Sequence, residues 1–105
     1  MFGLSEKTIN LINEIFIKYS GIEKVLIYGS RARGDYRNGS DIDLTIIGNV
    51  SHKDKNRISR QIYDLPIPYT CDLSILENIK NENLIEHINR VGKIFYLKKH
   101  EICKE

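Results

Sequence analysis

Cysteine is scarce in this chain: there are two, Cys71 and Cys103, too far apart to make a metal-ligand pair. The N-terminus, MFGLSEKTIN, lacks the basic start, apolar core and small-residue cleavage site of a secretory signal. Nothing therefore favours a disulfide, and a reduced, cytoplasmic protein is expected. Long apolar runs are missing too. The longest is a few residues, far short of the roughly 20 that a membrane helix needs, so no membrane association is expected. There is no excess of charge of one sign. Sixteen Lys and Arg against fourteen Asp and Glu leave a formal +2, too little to attract nucleic acid through bulk electrostatics. Any anion site must be local. His52, His87 and His100 have no ligand spacing among themselves or with a cysteine, and His87 beside Ile88 is expected as a packed or surface residue.

What remains is ordinary globular composition, 41% hydrophobic and 29% charged, with no repeat, linker or low-complexity segment. At this length it is expected to form one domain over residues 1–105. Ser5 can cap a helix running to about Tyr19, with Ile9, Ile12, Phe16 and Tyr19 on one stripe. Lys24 to Tyr28 predicts a short buried strand, Arg31 to Arg33 a brief helix stopped by Gly34, and Asp41 to Ile46 an alternating strand. His52 to Leu65 predicts a second long helix ended by Pro66 and Pro68, and Tyr69 to Leu76 a third strand in which Cys71 is a small core residue. A helix around Leu84, Ile85, Ile88 and Val91, closed by Gly92, leads to a last strand, Lys93 to Leu97. The remaining KKHEICKE is a charged, solvated tail. The order is α-β-(α)-β-α-β-α-β: a small α/β (α+β) domain with helices packed on one face of a mixed sheet.

The chemistry concentrates in YGSRARGDYRNGSDIDLTIIG, Tyr28 to Gly48. Asp41 and Asp43 lie two apart on the expected strand, so their carboxylates share a face while Ile42, Leu44 and Ile46 point into the core. Paired carboxylates repel unless a cation sits between them, and an all-oxygen site suits a hard ion such as Mg²⁺. Gly29 lets backbone approach a phosphate closely, and the amides that follow, with the Ser30 hydroxyl, can hold its oxygens. Arg31, Arg33 and Arg37 add positive charge to the same segment, and Ser40 stands beside Asp41.

An apolar residue, Gly-Ser, ten intervening residues and then Asp41-Ile42-Asp43-Leu44 resemble the nucleotidyltransferases of the DNA polymerase β superfamily. The strings GSRARG and SDIDL are most similar to its minimal nucleotidyltransferases (MNT). The resemblance implies a polymerase β-like core, with Gly29, Ser30, Arg31, Arg33 and Ser40 at the nucleotide. It also implies Asp41 and Asp43 on Mg²⁺, and ATP as donor. A third carboxylate, Asp72 in YTCDLSIL, takes the matching place on a later strand. Parity supports it: Thr70, Asp72 and Ser74 share one face, Cys71, Leu73 and Ile75 the other.

Relatives with an acceptor-holding helical domain continue well past this point, whereas only eight residues follow Leu97. The resemblance therefore implies a separate helical partner, of the HEPN or substrate-binding type. It further implies an antitoxin role in which AMP passes from ATP to the toxin. Two other readings fit the same residues: an antitoxin that acts by occlusion, and a small-molecule (antibiotic) adenylyltransferase completed by a second chain. An oligomer is compatible with all three.

Overall fold

In the computed structural model, residues 1–99 are described. The tail residues His100 and Cys103 lie outside them. Ser5 accepts the Thr8 amide and opens helix α1 (Glu6–Phe16), whose inward side carries Thr8, Ile12, Ile15 and Phe16. The helix stops short of Tyr19: the Ile17 amide still bonds four residues back, to Asn13, but those of Lys18 and Tyr19 bond three back, to Ile15 and Phe16. Strand β1 (Ile22–Tyr28) starts earlier than its local pattern suggests, since Ile22 finds a partner in Gly48. Helix α2 (Gly29–Arg33) is a single turn, ended where Gly34 adopts φ +93°.

Strand β2 (Ile42–Gly48) runs antiparallel to β1. Ser51 caps α3 (His52–Tyr63), which returns the chain to β3 (Cys71–Ile75), parallel to β2. The helix ends before Leu65, which packs on the core from beyond it. A 3₁₀ turn over Leu76–Asn78 leads to α4 (Glu82–Val91), capped by Asn81. Strand β4 (Lys93–Leu97) then pairs antiparallel with β1. The result is a four-stranded mixed sheet in the order β3-β2-β1-β4.

Alternation decides what each face does. Ile42, Leu44 and Ile46 are 0% exposed and pack with Ile12 and Phe16 of α1 and Ile58 and Ile62 of α3. Burying each such side chain stabilises the fold by roughly 1.5–3 kcal/mol. The intervening residues of β2, Asp43 and Thr45, face away from this layer. On that side α4 lies against β1, with the His87 ring edge-on to Tyr28 at 6.2 Å between centroids and Ile88 buried. No described helix is long and apolar enough to cross a membrane.

Candidate active site

Register brings the site residues into one row. Tyr28 of β1 is the partner of Asp43 on β2, and Asp43 is the partner of Asp72 on β3. Adjacent strands lie about 4.8 Å apart, so the two carboxylates are side-by-side neighbours on one sheet face. Asp72 is exposed, while Leu73 and Ile75 are buried. Asp41 departs slightly from expectation. It is exposed just ahead of β2, which begins at Ile42, and the Ile42 amide bonds the Thr70 carbonyl at 2.9 Å.

Gly29 follows Tyr28 directly and turns the chain at φ +74°, a conformation that side chains disfavour. A Cβ there would collide with the Asp43 carboxylate. The glycine thus brings backbone against the acidic row. Its N–H donates to His87 Nε2 at 3.2 Å, which places the imidazole proton on Nδ1 when the ring is neutral. Sequence reading missed His87, because 58 residues separate the partners and no local pattern links them. The Ser30 carbonyl accepts the Gly34 and Asp35 amides. Its hydroxyl makes no hydrogen bond among the described residues.

The electrostatics follow this geometry. Burial raises the Asp43 pKa above the ordinary carboxylate range, and repulsion from Asp72 and then Asp41 adds to it; His87 opposes the rise. Burial also raises the Tyr28 phenol, with a contribution from Asp43 and Asp72. The Cys71 thiol is pushed up to about 12 by burial and then by Asp72 and the other two aspartates, which keeps it protonated. The residue is half-buried and packs against the core rather than lying within it as expected.

The arginines separate. Arg33 is exposed and pairs with exposed Asp35 at 3.3 Å, and Arg37 is exposed. Arg31, expected at the nucleotide, is instead 2% exposed and turned into the protein. Its Nη1 donates to the Phe2 carbonyl at 2.9 Å, and its Nε and Nη2 donate to the Ser40 carbonyl at 3.1 and 2.9 Å. Three of its five N–H donors are held by backbone carbonyls, and the side chain is buried rather than open to a phosphate. Ser40 accepts the Arg37 amide at its hydroxyl oxygen, 2.8 Å away, and keeps its own proton to donate.

Among the described residues no three His, Cys, Asp or Glu side chains converge closely enough to enclose an ion unaided. The donor set nevertheless suits Mg²⁺, which takes one or two carboxylates and completes its shell with phosphate and water. A cation between Asp43 and Asp72 would relieve the repulsion that raises Asp43.

Comparison with known proteins identifies the family and the fold. The family model for polymerase beta nucleotidyltransferases matches residues 10–101. A candidate protein adenylyltransferase from Methanocaldococcus jannaschii is 49% identical over 47 residues; the match spans 43% of this chain and 47% of that protein. Among solved structures, a chain of a toxin–antitoxin complex with AMP-PNP superposes with a TM-score of 0.69 at 16% identity, covering 91% of this chain and 76% of that one. A chain from the complex of tri-AMPylated Shewanella oneidensis HEPN toxin with MNT antitoxin gives 0.66 at 13% identity, covering 90% and 74%. A nucleotidyltransferase candidate from Sulfolobus solfataricus gives 0.55 at 17%, covering 91% and 92%. These structural likenesses share the fold. The family match spans nearly the whole chain, and the protein belongs to the polymerase beta nucleotidyltransferase family.

Proposed function

We propose that this protein transfers AMP from ATP to a hydroxyl group of a separate helical protein, as the antitoxin of a toxin–antitoxin pair. The observation that carries the reading is the row Asp43–Asp72 on an open sheet face, with the Gly29–Ser30 turn against it. The acceptor class and the partner are proposed by analogy with a candidate protein adenylyltransferase and with an MNT antitoxin in complex with a HEPN toxin, both similar to this chain.

In this reading the Ser30 hydroxyl and the amides of the turn hold the triphosphate, with Arg33 and Ser40 at its margin. Asp41, Asp43 and Asp72 would hold Mg²⁺, which when bound offsets the charge of the phosphates. The acceptor oxygen forms a bond to the α-phosphorus while the bond from that phosphorus to the bridging oxygen breaks, and pyrophosphate leaves. Asp72, the exposed member of the row, takes the hydroxyl proton. The half-buried, repelled Asp43 stays a ligand. Isolation of the protein with its native partner, followed by intact-mass measurement after incubation with Mg²⁺-ATP, tests the proposal. A gain of one adenylyl group per modified site supports it; an unchanged partner mass contradicts it.

A further inference from the structure

Arg31 is a full charge at 2% exposure, and no carboxylate pairs with it among the described residues. Burying such a group is costly unless every donor is met. Here three N–H donors reach two carbonyls, Phe2 and Ser40. Two aromatic rings also lie against it, with its Cζ 5.2 Å from the centre of Tyr36 and 4.8 Å from that of Tyr69. The side chain thus joins the α2 turn to the two segments that lead into the acidic row. Tyr69 lies three residues before Asp72, and Ser40 lies immediately before Asp41.

Asp41 needs such support. It stands outside β2, and its carboxylate makes no hydrogen bond among the described residues. Its place is set by its two backbone neighbours: the Ser40 carbonyl, gripped twice by Arg31, and the Ile42 amide, bonded to Thr70. One anchor belongs to the sheet. The other, the Ser40 carbonyl, is held by Arg31; Ser40 is otherwise tied only within its own loop, to Arg37, through its amide and its hydroxyl.

We infer that Arg31 is a positioning residue for the divalent-cation site, acting through the Ser40 carbonyl to hold Asp41 beside Asp43. The inference rests on the assignment of Asp41 to that site under the proposed function. A planar fork is required, since an ammonium cannot donate twice to one carbonyl and reach a second while lying flat against aromatic rings.

Mn²⁺ binding by the purified protein, followed by electron paramagnetic resonance in the absence of nucleotide, tests it with Arg31→Lys, Asp41→Ala and the double variant. Loss of a residue that orients a metal ligand weakens metal binding on the order of tenfold or more, and Arg31→Lys is expected to do so while remaining folded by circular dichroism. In the Asp41→Ala background the same change should have no further effect, because the two act as one unit. Additive losses would show a merely structural role and overturn the inference, as would wild-type affinity in folded Arg31→Lys. If Arg31→Lys does not fold, Tyr36→Leu decides. This residue is 37% exposed, and its loss removes one of the two rings; a weaker Mn²⁺ affinity that vanishes in the Asp41→Ala background supports the inference, and an unchanged one overturns it. A wild-type protein whose Mn²⁺ binding ignores Asp41→Ala would refute the site assignment itself, and the inference with it.

Discussion

Asp43 and Asp72 are direct partners in the parallel register of β2 and β3, so two carboxylates face the same side of the sheet at neighbouring positions. The Asp43 pKa is raised by burial first and by Asp72 and Asp41 next. A carboxyl whose folded pKa exceeds its unfolded value binds protons more readily in the folded state. Stability then falls as pH rises from the ordinary carboxylate value through the raised one. Asp43→Asn should accordingly melt higher than wild type at pH 7. The difference should close below the ordinary carboxylate range, where both states are protonated. Thermal unfolding followed across pH checks this, and the same variant should lose nucleotidyl transfer.

Gly29 is the second point of strain. Replacement by alanine forces a side chain into φ +74° and against the Asp43 carboxylate. The expected loss is about 1–3 kcal/mol in urea unfolding, with a raised KM for ATP because the turn must move away from the acidic row.

Asp72→Asn removes the charge and the proton acceptor with little change in shape. Mg²⁺-ATP binding by calorimetry should be largely kept while transfer falls by about a hundredfold or more, the scale of a lost general base. A wild-type rate from mildly acidic to mildly alkaline pH would exclude Asp72 from that role.

His87 provides a separate check on the turn. His87→Leu leaves the Gly29 N–H without its acceptor, which should destabilise the protein by about 1–3 kcal/mol and speed exchange of that amide. His87→Gln offers an oxygen at a similar reach and should restore most of the protection. Amide exchange by nuclear magnetic resonance distinguishes them.

Much of this was legible in the chain. The alternation Cys71, Leu73, Ile75 placed Asp72 on the open face, and the bounds of β4 follow from its own apolar run. Gly34 stops α2 as its type implies, although the helix already begins at Gly29. What local pattern could not reveal depends on distant partners. Ile22 belongs to β1 because Gly48 pairs with it, and Asp41 stays off β2 where Arg31 holds the preceding carbonyl. Arg31 reads in sequence as one of three phosphate-seeking cations; only the positions of Phe2, Tyr36 and Tyr69 show that it is taken up inside. His87 is tied to Gly29 across 58 positions, a separation beyond any periodicity.

In the proposed reaction the α-phosphoryl group of ATP, with its nucleoside, is what moves. Incubating the protein and its native partner with Mg²⁺ and ATP labelled at either the α- or the γ-phosphate tests this most directly. The expected result is α-label on the partner, γ-label only in released pyrophosphate, and neither on the partner with Asp43→Asn. Label from the γ-position on the partner, or α-label that persists in Asp43→Asn, would contradict it.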